Sequence, residues 1–201
     1  MSITFDRVHD IQTAYRKTLN GLSRPGTIMS LAAEAKNTEG MLPGCLASTT
    51  LMAIMLLDTE VTFKVVSARE QQITSMLNQL TYAKATDAAK ADYIFVLRDA
   101  AMIDFEQALQ VAKIGTLEDP HQSATFIIES ERVTNDPTWR LVGPGIMDMA
   151  YVNMGVDGRW PEIRAFKNVE YPLGIDLFFI DSDFRLLGLP RTTQLARQVN
   201  N

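Results

Sequence analysis

Apolar residues at three- and four-residue spacing open the chain, with Phe5, Val8, Ile11, Tyr15, Leu19 and Leu22 on one side of a predicted helix. Thr4 is placed to cap that helix, Asp6 suits its positive end and Gly21 is placed to close its last turn. The chain then turns at Ser23-Arg24-Pro25-Gly26, where proline presets one central position of a type II turn and glycine accepts the positive φ of the next. A strand is predicted over about 27–32. Cys45 to Leu57 is apolar on most sides, the pattern of a buried helix. Val61, Phe63 and Val65 alternate with Thr62 and Lys64, the period of a strand with one wetter face. Ser67-Ala68-Arg69-Glu70 has the spacing of a capping box, and Ile73, Met76, Leu77 and Leu80 supply the apolar face of the helix behind it.

The run from Tyr93 to Leu97 after Asp92 predicts a strand covered on both faces. Asp104 is placed to cap a helix carrying Phe105, Ala108, Leu109 and Ala112, with Gly115 closing it. Beyond Pro120, residues 124–129 and 139–142 read as strands. Residues 153–170 show little period beyond a helix near Pro161 to Lys167, with proline in its first turn. Ile175 to Ile180 is a strongly apolar strand, and Asp181-Ser182-Asp183 predicts a hairpin turn into 185–188. Helices alternate with strands early and strands cluster late. The expected fold is therefore α/β, a mixed sheet flanked by helices, in one domain over 1–201.

A chain of 201 residues suits one large core, and 46% apolar with 21% charged residues is ordinary for a globular protein. Net charge is −5 with no basic block, which argues against nucleic-acid binding while leaving room for a local anion site. Cys45 is the only cysteine, so no intrachain disulfide forms, and its apolar surroundings favour a small buried hydrophobe over a nucleophile. His9 and His121 lie far apart without a ligand pattern, so no metal site is expected. Residues 1–10 carry early charge and no apolar core of a signal peptide, and the stretch from Cys45 to Leu57 is too short to span a bilayer. A soluble, cytoplasmic protein is expected.

Four groups suggest chemistry. Arg191-Thr192-Thr193 joins a guanidinium that grips phosphate or phosphonate in a bidentate way to two hydroxyl donors. The competing reading pairs Arg191 with a carboxylate such as Asp176, which stands in an otherwise apolar strand and needs a partner; the functional reading counts Asp176 with the Arg191–Thr193 site, as a general base, and the structural pairing is favoured. Gly143-Pro144-Gly145 after a strand allows backbone amides to approach an oxyanion, but it lacks the lysine of nucleotide loops, and a tight turn explains it more simply. Arg24 in its proline–glycine turn carries the same ambiguity. The methionines at 52, 55, 147, 149 and 154 read as core or interface filler.

Several of these motifs together resemble one family. Tyr15-Arg16 and Leu19 leading into Ser23-Arg24-Pro25-Gly26, then Gly143-Pro144-Gly145-Ile146, Tyr171-Pro172-Leu173-Gly174-Ile175-Asp176-Leu177 and Leu189-Pro190-Arg191-Thr192-Thr193 are similar, in order and spacing, to the PhnH family. That family supplies the H subunit of the bacterial carbon–phosphorus lyase system. Tyr171 stands where the family has phenylalanine, Pro120-His121-Gln122-Ser123 departs from its Pro-Glu-x-Gly, and the tail after Thr193 differs.

The resemblance implies a fold like the large domain of pyridoxal-phosphate-dependent transferases, but without that or any other cofactor. It also implies a homodimer that joins sister subunits. The assembled complex transfers a phosphonate to ATP, displaces adenine and yields a ribose 1-phosphonate 5-triphosphate. With one cysteine this chain cannot itself hold the iron–sulfur cluster of the later bond-breaking step. Two readings of its part remain, an accessory or scaffolding subunit, or one that carries part of the ATP and phosphonate site. An independent pyridoxal-phosphate enzyme is a third and weaker reading, since Lys64, Lys84, Lys90 and Lys113 sit in no cofactor motif.

Overall fold

A computed structural model describes residue 6 and residues 8–198. In chain order the elements are α1 (His9–Ser23), β1 (Ile28–Ser30), α2 (Ala32–Ala35) with a 3-10 turn (Lys36–Thr38), α3 (Ala47–Leu56), β2 (Thr62–Val66) and α4 (Glu70–Thr81). They continue with β3 (Lys84–Ala85), β4 (Tyr93–Val96), α5 (Met102–Val111), β5 (Thr125–Glu129), β6 (Thr134–Val142), β7 (Ala150–Asn153) and α6 (Trp160–Lys167). The last three are β8 (Asp176–Ile180), β9 (Arg185–Leu189) and β10 (Gln194–Arg197).

Seven strands form a mixed sheet in the order β1-β9-β8-β5-β4-β2-β3. Its centre is parallel, and β9 runs antiparallel to both β8 and β1. The apolar runs at 93–96, 125–129 and 176–180 become the central strands because both of their faces are covered. Helices α1 to α4 close one face around Phe63, Phe95, Ile127 and Phe178, while α5 and α6 close the other around Phe126, Leu177 and Phe179. A smaller antiparallel sheet, β10-β6-β7, adds Leu141 and Val152 to that second core. The α/β class, the mixed sheet and the flanking helices match the expectation.

The first helix faces the other way from its apolar period. Ala14, Thr18 and Gly21 are its buried residues, whereas Val8, Tyr15 and Leu19 are 63%, 48% and 48% exposed. The reason is close approach. A Cβ added to Gly188 on β9 would lie 2.7 Å from the backbone carbon of Gly21. Only small residues fit beneath a helix seated that near a strand, so the large apolar ones are left outside. Gly21 therefore sits in the contact rather than ending the helix, which runs on to Ser23. Thr4 and Phe5 lie outside the described residues.

Two predicted caps are corrected. Helix α4 starts at Glu70, and no side chain caps it at Arg69. Ser67 instead accepts from Arg69 N at 3.0 Å and donates to Asp99 at 2.7 Å, while Glu70 pairs with Lys64. Asp104 lies inside α5, which begins at Met102. Cys45 and Leu46 precede α3, because the Glu129 carboxylate takes the Leu46 amide at 2.8 Å and fixes the helix start there.

Candidate functional site

The four sequence motifs meet in space. Thr27 N donates to Arg24 O at 3.1 Å, closing the turn through Pro25 and Gly26. Ile146 N donates to Gly143 O at 3.2 Å, closing a second proline–glycine turn of the same form. The second turn rests on the first, since a Cβ on Gly145 would collide with the carbonyl oxygen of Ser23. Gly143 packs on the last motif, where an added Cβ would be 2.9 Å from Thr192 O. Gly174 in turn packs on Arg191, 3.0 Å from its Cβ by the same measure. Arg24 is exposed, and its backbone amide closes α1 through Asn20 O at 3.0 Å.

Arg191 is the hub of this junction. Its backbone amide and Nε donate to Asp176 Oδ1 at 2.7 and 3.4 Å, and Nη2 donates to Asp176 Oδ2 at 2.6 Å. Nη1 reaches the carbonyls of Pro120 and Pro172 at 3.0 and 3.1 Å, and Nη2 also meets the Ser123 hydroxyl. All five guanidinium N–H groups are thus matched by protein acceptors. The pair ties the start of β8 to the loop after β9 and to two further loops. Thr192 is half-buried beside it.

A cavity of about 830 Å³ opens next to this junction, lined among others by Pro144, Arg164, Tyr171, Arg191, Thr193 and Leu195. Arg164 is 3% exposed, and its Nη1 and Nη2 donate to the carbonyls of Thr193 at 3.0 Å and Pro190 at 2.6 Å. Burial pushes its pKa down to about 10, against the opposing field of Asp176, so it stays charged at neutral pH. Arg164 Nε and Thr193 Oγ1 are both buried without a hydrogen-bond partner. Arg164 stands near the C-terminus of α6, where a basic residue is ordinarily solvated and carries no signal by its type alone. The available signal was its spacing, one turn after Trp160, which is fully buried.

A second polar cluster lies where the parallel strands end, the usual ligand side of an open α/β sheet. Glu129, 7% exposed, accepts from Leu46 N at 2.8 Å, Thr49 Oγ1 at 2.5 Å and Arg98 N at 3.2 Å. Arg69 bridges Asp99 at 2.8 Å and the carbonyl of Gly44 at 2.9 Å. Burial, reinforced by the Glu129 charge, pushes the nearby Cys45 thiol up to about 12. The members of this cluster answer one another and hold the start of α3 against the sheet.

Among the described residues, no group of three or more His, Cys, Asp or Glu is arranged to hold a metal ion. None of their helices is long and apolar enough to cross a membrane. Lys64 and Lys113 are engaged by Glu70 and Asp92, Lys84 and Lys90 are exposed, and no lysine lines the cavity beside Arg191. That arrangement does not fit an aldehyde cofactor there.

Fold and site together define a mixed-sheet α/β protein whose signature turns interlock around a buried arginine–aspartate pair and a cationic cavity. The family model for the bacterial phosphonate metabolism protein PhnH matches residues 4–196, and the chain belongs to that family. It is 27% identical over 186 residues to HtxG of Stutzerimonas stutzeri, named as a C-P lyase subunit protein, covering 92% of this chain and 85% of that protein. It is also 27% identical over 197 residues to the alpha-D-ribose 1-methylphosphonate 5-triphosphate synthase subunit PhnH of Rhizobium meliloti strain 1021, covering 96% and 94%.

Proposed function

We propose that this chain is an accessory or scaffolding subunit of a carbon–phosphorus lyase complex, required for transfer of a phosphonate to ATP with displacement of adenine. The observation that carries this reading is the family match along 4–196, together with relatives of that name over nearly the whole chain. The spent donors of Arg191 support a structural part for the motif it belongs to. A homodimer that docks on sister subunits in the cytoplasm completes the proposal. The exposed apolar line from Val8, just before α1, through Tyr15 and Leu19 on it supports a protein-facing surface. The mixed seven-stranded sheet with helices on both faces supports a fold like the large domain of pyridoxal-phosphate transferases, in one domain without the cofactor.

The test is co-expression of the full chain with its sister subunits, followed by purification on a tag carried by one of those. Co-purification, with loss of phosphonate transfer when this chain is omitted, is expected. Turnover by the isolated chain overturns the accessory role, and failure to co-purify overturns the subunit reading. A second reading, that the chain carries part of the binding site, is favoured by the buried Arg164 guanidinium beside the cavity, whose two acceptors are neutral carbonyls.

A further inference from the structure

We propose that the free edge of β10 takes an extended acidic segment of a partner chain as a fourth strand of the small sheet. β10 is the outer strand of β10-β6-β7 and pairs with β6 alone. Its register, continued by Gln198 N donating to Thr138 O at 2.9 Å, turns the backbone groups of Gln194, Ala196 and Gln198 toward β6. Those of Leu195 and Arg197 therefore point the other way, and among the described residues nothing bonds to them. The opposite edge is built differently. On β7 the outward carbonyl of Tyr151 accepts from Asn135 Nδ2 at 3.1 Å, and the same amide holds the carbonyl of Gly26. One edge of the sheet is covered, and the other is a ready template for a strand.

An added strand needs room for its alternate side chains, and the surface beside β10 supplies it. The cavity of about 830 Å³ is lined by both Gln194 and Leu195, successive residues whose side chains take opposite faces of β10. It therefore runs along the edge of the strand rather than under one face. Pro161, Ala165 and Leu195 also border a second hollow, of about 360 Å³, that continues the trough to Arg197. Val169 and Tyr171 wall the larger cavity and are 80% and 74% exposed, apolar surface of the kind a partner covers. An occupant with apolar residues at alternate positions fits this trough.

Charge chooses between partners. The three strands carry Arg140 and Arg197 against a single acid, Asp136, which the bulge between Thr134 and Trp139 sets apart. Both arginines are exposed, and among the described residues neither forms an ion pair. Arg197 lies over the Trp139 ring at 6.0 Å, and Asp157 and Glu162 border the hollow beneath it without pairing with it. Edge-to-edge pairing with a second copy would bring two Arg140 and two Arg197 side chains into one short sheet, where like charges repel. A strand carrying carboxylates beside them removes that repulsion and supplies the missing counter-charge. A sister subunit as the source of the strand rests on the subunit reading, whereas strand addition itself rests on the open edge.

The experiment compares hydrogen exchange at the Leu195 and Arg197 amides in the isolated full chain and in the complex co-expressed with the sister subunits. Exchange at both is expected to slow about tenfold or more on assembly. A second measurement sets tagged wild-type and variant chains in competition for the same sister subunits and reads their ratio in the purified complex. Arg197→Pro removes an outward N–H and spares every bond to β6, a place where an edge strand tolerates proline. It is expected to be under-represented about tenfold, and Arg197→Gln, which keeps the N–H and loses the charge, by less. Unchanged exchange in the complex, or equal incorporation of Arg197→Pro, overturns strand addition. Equal incorporation of both Arg197→Gln and Arg140→Gln overturns the acidic character of the partner. Slow exchange of both amides in an isolated dimer that Arg197→Pro dissolves assigns the edge to a second copy and overturns the partner class. A chain that does not co-purify at all fails the subunit reading, whereas one that co-purifies with both amides unprotected fails the edge alone.

Discussion

Arg191 Nη2 and Asp176 Oδ2 meet at 2.6 Å with their side chains 16% and 19% exposed, joining the loop after β9 to the first residue of β8. Removing one partner strands the other in a largely dry place. Arg191→Met should lower unfolding free energy by about 3 kcal/mol, with Asp176→Asn costing less because the amide still accepts one N–H. Urea melts decide this, and near-wild-type stability for Arg191→Met contradicts the central role of the pair.

Close packing of the turns makes a second expectation. Gly188→Ala drives a methyl into the Gly21 backbone at 2.7 Å, and Gly145→Ala drives one into Ser23 while keeping a φ of +83°. Backbone cannot yield as a flexible side chain does, so each should cost about 2–3 kcal/mol. Gly40→Ala is the control, with positive φ but nothing within 4 Å, and should cost about 1 kcal/mol. Thermal melts that rank Gly40→Ala as the worst of the three would refute the packing argument.

Acid sensitivity should concentrate at Asp92. Burial acts to raise its pKa, but hydrogen bonds from Lys113 and from the side chain and backbone of Thr62 outweigh that and leave it below the ordinary value. A carboxyl depressed on folding contributes stability that is present above its unfolded pKa of about 3.9 and lost as pH falls through its folded pKa. The stability gap between wild type and Asp92→Asn should therefore narrow below about pH 4. A gap that stays constant through the acid range rules this out.

Glu129 holds α3 to the sheet through three acceptor contacts. Glu129→Ala leaves the Leu46 amide and the Thr49 hydroxyl unmatched and should cost about 2–4 kcal/mol, against about 1 kcal/mol for Thr49→Val. Equal losses for the two variants would show that the carboxylate is not the anchor. Loss of that anchor should also free the Cys45 thiol, so disulfide-exchange reagents should label Glu129→Ala faster than wild type at mildly alkaline pH.

The central sheet was legible because its strands are covered on both faces and read as unbroken apolar runs, as from Tyr93 to Leu97 and from Ile175 to Ile180. The hairpin at 181–183 was legible from its turn residues, and the buried Asp181 carboxylate indeed accepts from Asp183 N and Arg185 N. The seating of α1 was not, since hydrophobic period rewards large side chains and the true contact runs through Ala14, Thr18 and Gly21. The strands β7 and β10 were missed because they pair outside the main sheet and keep half-buried or polar residues. At the site, Arg191 with Asp176 was one of two readings open from residue types alone. Arg164 was invisible because its meaning lies in burial without a counter-charge, which only the fold reveals.

The strand order also bears on synthesis. β8 and β9, among the last elements made, lie between β1 and β5, which are translated much earlier. Until that hairpin leaves the ribosome, β1 has no neighbour and β5 presents one open edge. The nascent chain must therefore carry an unfinished apolar sheet through most of its elongation, a period in which aggregation competes with closure. The interlocked turns at 23–26, 143–146 and 190–193 form only when both ends of the chain are present, so they report that closure has been reached.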